Sequence, residues 1–279
     1  MEVSIKRPLF GKEVEIVIKD MDSEIAGPIL ERTYRLGLRL SAIFNFHDQR
    51  SELANLNKKR TLRVSEELLD VIHLSLAMAR QTNGQYDVSL GKVFKQRKAG
   101  EKESAVRCSY RDIKTDGHRV SLTHPDALLD LSSIAKGYIV DKMIEHLKEE
   151  GVLSGLIDGR GDIRVFGDHE EVLSIEHPRQ KGSMIARLRL KDEAVATSGD
   201  YNQYIGTHQT SHIINAKDAI SVTVVAPTLM LADLNATAIF VLQSDERDAF
   251  IAKEHIKAYI IDKDLRVHQY NKIEEALIT

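Results

Sequence analysis

ALLDLSSIAKGYIVDKMIEHLKEEGVLSGLIDGRGDIRVF, residues 127–166, carries the change of texture on which the fold turns. The apolar residues 127–131 read as a short strand. Ser132 or Ser133 then caps a helix running to about residue 150, and Gly151 stops it. Short strands follow at about 153–157 and 161–166, and further downstream at 171–176, 184–190, 210–214 and 219–226. A helix at 229–242 and a helix-strand-strand tail complete the chain. Upstream, Val14, Ile16 and Ile18 alternate with Glu13, Glu15 and Val17 as in a strand. Residues 23–45 place Ile29, Leu36, Leu40, Ile43 and Phe44 near one face of a long helix, with Pro28 tolerated in its first turns. Residues 65–82 repeat Leu68, Val71, Ile72, Leu76 and Ala79 at helical spacing, begin on Ser65-Glu66-Glu67 and end at Asn83-Gly84. Residues 95–118 are polar and basic and read as a surface excursion. Strands clustered between helices, rather than alternating with them, point to an α+β fold.

Composition narrows the function. Lys and Arg number 39 against 42 Asp and Glu, a net charge of −3, which excludes a general nucleic-acid footprint. Cys108 is the single cysteine, so neither a disulfide framework nor a cysteine zinc site is available. Trp is absent and aromatics are 5%, which argues against base-stacking platforms. A 42% hydrophobic content over 279 residues supplies a core without staples, and the whole chain, 1–279, reads as one domain. No apolar run approaches the roughly 20 residues of a membrane span. The opening MEVSIKRPLFGKEVEIVI has no continuous apolar stretch after a basic start and no early cysteine, so the expected location is the cytoplasm.

Four patches interrupt apolar structure with small or polar residues. In Asp130–Tyr138, a strand running into a helix start offers backbone N–H groups and a positive dipole end to an anion, and Lys136 adds charge. An ordinary capped helix with a solvated lysine is the plainer alternative, and the P-loop pattern is not met. Asp158-Gly159-Arg160-Gly161-Asp162 fails the Rossmann fingerprint, because Arg164 stands at the third glycine; a hairpin turn explains it, and Arg-Gly-Asp as an adhesion motif has no support from export. Ala196-Thr197-Ser198-Gly199-Asp200-Tyr201 precedes His208 and His212, whose strand-like context does not suit a helical metal pair. In Ala232–Ala238, Asp233 and Thr237 stand four apart and share a helix face. A carboxylate and a hydroxyl, completed by a carbonyl and substrate phosphates, suit Mg²⁺; an Asp–Thr hydrogen bond or a helix cap would use the same pair.

In this order the patches resemble the ApbE family of flavin transferases, the FAD:protein FMN transferases, over about residues 10–242. Asp130–Asp141, Ala196–Tyr201, Ser211-His212-Ile213-Ile214 and Ser221–Val224 leading into Ala232–Ala238 carry the likeness, with weaker support from Ser51-Glu52-Leu53, Asn57 and Thr82–Asp87. The resemblance implies two interlocked subdomains, with mixed or antiparallel sheets and flanking helices, and FAD in the cleft between them. It implies Mg²⁺-dependent cleavage of the FAD pyrophosphate, transfer of FMN to a Thr or Ser hydroxyl of an acceptor flavoprotein, and release of AMP. Asp233, Thr237 and the carbonyl of Ser133 correspond to metal ligands. Asp130, Lys136, Tyr86, Asp87, His47 and the backbone at Ile214 correspond to FAD contacts. Positioning and charge neutralisation dominate phosphoryl transfer, a role for Mg²⁺ and Lys136. His212, with an ordinary pKa near neutrality, is the candidate base for the acceptor hydroxyl.

Departures from the family pattern are specific. The family's Asn-x-Gly-Gly-Asp is here Asp158-Gly159-Arg160-Gly161-Asp162, with Arg160 in place of a glycine. Its Met-Gly-Thr is Phe10-Gly11-Lys12, and its Asp-Pro-x-Thr-Gly loop is replaced by the shorter Asn215-Ala216-Lys217-Asp218-Ala219. These changes leave the metal pair intact and bear on acceptor recognition. Two alternatives share the same site: an FAD pyrophosphatase in which water replaces the acceptor hydroxyl, and a flavin-binding protein without turnover.

Overall fold

The computed structural model describes residues 1–102, 105–180, 182–200 and 218–275. The expected strand at 210–214 therefore lies outside the described residues. In chain order the elements are β1 (Glu2–Leu9), β2 (Lys12–Lys19), α1 (Ser23–Phe44), α2 (Glu52–Lys59), β3 (Thr61–Arg63), α3 (Glu66–Gln81) and α4 (Gly91–Lys98). Then come β4 (Ile113–Asp116), β5 (Arg119–Leu122), α5 (Ala135–Glu149), β6 (Gly155–Asp158), β7 (Ile163–Phe166), β8 (Glu170–Glu176) and β9 (Met184–Lys191). The chain continues through β10 (Ala194–Gly199), β11 (Ala219–Ala226), α6 (Leu229–Val241), α7 (Ser244–Lys253), β12 (Lys257–Asp262) and β13 (Val267–Tyr270).

Eight strands form one sheet in the order β1-β2-β6-β7-β10-β11-β12-β13, and each neighbouring pair is antiparallel. β3-β5-β4 make a small second sheet, and β8-β9 a separate hairpin. This is an α+β architecture built on antiparallel pairing. Residues 12–19 begin as expected but form half of a hairpin: Phe10 and Gly11, with φ of +55° and +77°, make a two-residue turn whose twist matches the flanking strands.

One face of the large sheet carries the helices. Ile16 and Ile18 of β2, Ala196 of β10, Val222 and Val224 of β11 and Ile260 of β12 enter one core with residues of α1, α3, α5 and α6. The opposite face is covered by the β8-β9 hairpin: Ile175, Leu188 and Leu190 pack on Val165, Val195, Val225 and Tyr259. β11 is buried along all eight residues because both faces are covered, and its AISVTVVA reads as a continuous apolar run. Helix α6 is likewise apolar all round, and Asp233 is its one charged side chain.

Two local expectations are corrected. Residues 127–131 form an extended segment with a single parallel bridge, Leu90 to Leu128, rather than a strand. The helix starts at Ala135, with Ile134 at the cap position and no side-chain cap bond; Ser132 and Ser133 lie in the preceding turn. Asp130 makes that turn by accepting the Ser132 N–H at 2.9 Å. The polar excursion also holds more structure than its composition suggests, including the end of α4 and β4. Among the described residues no helix is long and apolar enough to cross a membrane.

Candidate functional site

A cavity of about 800 Å³ opens where β10 ends, between the start of α5, one face of α6, the hairpin β8-β9 and the residues around α4. That lies within the usual range for small-molecule sites. Its walls hold Lys136 from α5, Asp233 and Thr237 from α6, Ser198 from β10 and Asp162 from the β6–β7 turn. Tyr86, Asp87, Asp130, Ser133 and His47 line it as well. The structure thus brings together every predicted site residue that it describes. His212 and Ile214 lie outside the described residues.

Lys136 bridges two carboxylates. Its ammonium contacts Asp162 and lies 3.4 Å from Asp233 Oδ2. Asp162 also accepts the Thr197 N–H at 2.9 Å, which ties β10 to the start of α5. Asp233 Oδ2 accepts the Gly137 N–H at 3.3 Å, so both contacts of this buried carboxylate fall on one oxygen. Burial pushes the Asp233 carboxyl above the usual carboxylate range, and Lys136 and the Gly137 N–H pull against it. Thr237 Oγ1 lies 3.0 Å from Ser198 Oγ, which supplies a second hydroxyl beside the helix.

The expected backbone anion site at the start of α5 is largely spent. The N–H groups of Ala135, Gly137 and Tyr138 bond to the Leu131 carbonyl, Asp233 and the Ile134 carbonyl. Anion attraction in this region therefore rests on Lys136 rather than on free N–H groups. Tyr86 is buried and its hydroxyl pairs with Ser133 Oγ at 2.8 Å; burial pushes the phenol well above its ordinary value and keeps it neutral. Asp87 accepts the N–H groups of Ser89 and Tyr110, each at 2.8 Å, and so organises the loop between α3 and α4. His47 is exposed and meets Phe46 edge-on at 5.3 Å between ring centroids, while Phe46 meets Phe94 at 6.4 Å. These rings give the cavity an aromatic wall.

The donor set around Asp233 suits a hard cation. Asp233 Oδ1 is engaged by no described contact, and the hydroxyls of Thr237 and Ser198 stand nearby as neutral oxygens. Among the described residues no three His, Cys, Asp or Glu side chains gather as a metal cage. One carboxylate, hydroxyls and substrate oxygens are what Mg²⁺ takes when it retains water or phosphate ligands.

Sequence reasoning assigned no role to Asp162 or Ser198, although both stand in quoted motifs. Nothing in the local pattern shows that Asp162 reaches Thr197, 35 residues on, or that Ser198 reaches Thr237, 39 residues on. The hairpin wall, including Leu173, Ser174 and Glu176, carried no signal beyond ordinary strand alternation.

The fold has close structural counterparts. The ApbE protein of Thermotoga maritima matches with a TM-score of 0.86 at 23% identity, covering 97% of each chain. The flavin transferase ApbE of Vibrio cholerae matches with a TM-score of 0.80 at 22% identity, covering 98% of this chain and 97% of that one. They define the class as an α+β protein of the ApbE fold. The chain belongs to the ApbE family, whose pattern matches residues 10–260, and is by that membership a transferase. Relatives include the FAD:protein FMN transferase of Haemophilus influenzae, 27% identical over 282 residues, covering 90% of this chain and 77% of the relative. That of Escherichia coli K12 is 25% identical over 248 residues, covering 77% of this chain and 71% of the relative.

Proposed function

We propose that this chain is a Mg²⁺-dependent FAD:protein FMN transferase that joins FMN to a Thr or Ser hydroxyl of an acceptor flavoprotein and releases AMP. In this reading residues 1–279 act as one unit, with FAD in the cleft between its interlocked parts. The observation that carries it is the constellation of Asp233, Thr237, Ser198, Lys136 and Asp162 within one cavity. A bound Mg²⁺ would neutralise pyrophosphate charge. Asp233 and Thr237 would hold it, with the Ser133 carbonyl.

Lys136 supplies a second positive charge, held in place by Asp162 and Asp233 so that little reorganisation is needed when phosphate arrives. The acceptor oxygen forms a bond to the FMN phosphorus, the bond from that phosphorus to the bridging oxygen breaks, and AMP leaves with the bridging oxygen. The hydroxyl proton passes to a base, for which His212 is the candidate. Tyr86 stays neutral and orients Ser133 through its hydroxyl. The aromatic wall of Phe46 and Phe94 suits a planar ring of the dinucleotide.

Incubation with FAD and Mg²⁺, with and without an acceptor flavoprotein, tests the reading. AMP release matched by covalent flavin on the acceptor is expected. AMP with equimolar free FMN and no labelled acceptor would replace transfer by hydrolysis, and tightly held, uncleaved FAD would replace it by storage.

A further inference from the structure

Two departures from the family's sequence pattern, Lys12 and Arg160, stand on turns that touch. Lys12 follows the β1–β2 turn, and Arg160 occupies the β6–β7 turn. Arg160 Nη1 donates to the carbonyl of Phe10 at 2.5 Å, joining the two turns, and both cations line the cavity. Arg160 holds φ at +75°, a left-handed conformation that a side chain enters at a cost and glycine enters freely. A residue kept in such a conformation beside a site points to a use for its side chain.

The surroundings define that use. Among the described residues the cavity lining carries five acids, Asp87, Asp130, Asp162, Glu176 and Asp233, and without the pair its one lysine or arginine is Lys136. Lys136 is engaged by two of those acids. Among the described residues no ion pair engages Lys12 or Arg160. Gly159, adjacent to Arg160, borders Lys136: a Cβ there would lie in ordinary contact with Lys136 Cγ, at 3.9 Å. The pair therefore sits next to the charged constellation, on the cavity side. One N–H of the guanidinium is anchored on a carbonyl, so the fork is oriented before a ligand arrives, a geometry suited to bidentate phosphate recognition.

We propose that Lys12 and Arg160 form an added phosphate-binding pair that grips the pyrophosphate of the dinucleotide and offsets the acidic lining. The inference rests on the flavin-dinucleotide reading above. Phosphate is favoured over an acidic acceptor segment because the pair adjoins Lys136 within the cavity.

Calorimetric affinities for FAD, ADP and riboflavin, in EDTA and in Mg²⁺, test it on the parent protein, Arg160→Gly, Lys12→Thr and the double variant. Loss of the pair should weaken FAD and ADP on the order of tenfold or more, the scale of a lost charge-assisted contact, and leave riboflavin unchanged. The Arg160→Gly protein should melt no lower than the parent, since glycine suits φ of +75°. Unchanged FAD and ADP affinities, or an equal loss for riboflavin, would overturn the pair. Unchanged dinucleotide binding with a raised acceptor KM would also overturn it and assign the cations to an acidic protein segment. A parent that binds FAD no tighter than riboflavin would refute the dinucleotide reading itself. In that event ADP binding decides the pair: weakened in the double variant it stands, and absent or unchanged it falls.

Discussion

At the scale of single residues, Asp233 is held between opposing forces. It is the one charge on an apolar helix, it is buried, and its ionised form is favoured by Lys136 and one N–H but opposed by desolvation. A buried charge so placed adds little to stability, and its place in the cavity is what the proposed metal site uses. Asp233→Asn should lower AMP formation from FAD by about 10²–10³-fold, the range for removing one electrostatic stabiliser. Its melting temperature should stay near the parent's, because the amide removes a disfavoured buried charge while Lys136 keeps Asp162. Chromatographic AMP assays beside thermal melts check both halves; parental activity in a folded variant would eliminate Asp233 as the proposed metal ligand.

At the scale of elements, α5 and α6 are tied to each other reciprocally. Asp141 on α5 accepts the N–H groups of Leu229 and Met230, at 2.9 and 2.8 Å, where α6 begins. Asp233 on α6 accepts the N–H of Gly137 on α5. The tie requires close approach: a Cβ at Gly137 would lie 2.5 Å from the Leu229 carbonyl oxygen and 2.6 Å from Met230 Cα, both backbone atoms. Gly137→Ala should therefore cost about 1–3 kcal/mol, as overpacking does, and shift α6 enough to reduce activity beyond the stability loss. Denaturant midpoints with AMP assays would show this, and an unperturbed variant would contradict the packing.

Helix α7 is tied to the residue just before β11 by a different device. Arg247 is buried and donates to Asp218 at 2.9 and 3.2 Å. Burial pushes the Asp218 carboxyl up, and the Arg247 hydrogen bond and charge outweigh it, leaving the pKa below its ordinary 3.8. A carboxyl lowered on folding adds stability above its unfolded pKa and loses it as pH falls through the folded value. Asp218→Asn should lower stability at pH 7 by about 1 kcal/mol, the pair being partly solvent-screened. The difference from the parent should shrink below about pH 4 as Asp218 protonates in both folded and unfolded chains. Melts at neutral and acid pH measure it; a gap that persists unchanged in acid would remove the ionised pair as its source.

At the scale of the whole molecule, the cavity draws its walls from both faces of the large sheet and from the helices and loops beside it, so a ligand there couples elements far apart in sequence. FAD at about 100 times its Kd should stabilise the fold by about 2.7 kcal/mol and raise the melting temperature by roughly 5 °C. Mg²⁺ should add to the shift, and Asp233→Asn should lose that Mg²⁺ increment while keeping the shift from FAD alone. Differential scanning fluorimetry with and without EDTA measures both, and an increment that survives in the variant would place the metal elsewhere.

Local chemistry made much of this protein legible in its sequence. Residues 23–45 and 65–82 announce α1 and α3, because apolar spacing and Ser65 capping act within a few turns. The Asp233–Thr237 pair is legible for the same reason: four residues on one helix share a face whatever surrounds them. The α+β class follows from clustered strands, and the ordered motifs carried the family likeness. The tertiary structure decided what depends on distant chain. It turned residues 127–131 from a strand into an extended segment, because their partner offers only one bridge. It moved the helix start to Ala135 and used its N–H groups on Asp233 and nearby carbonyls. It brought Asp162 to Lys136, and Arg160 to the Phe10 carbonyl across 150 residues. Periodicity records which face a residue takes; only the packed sheet determines what that face meets.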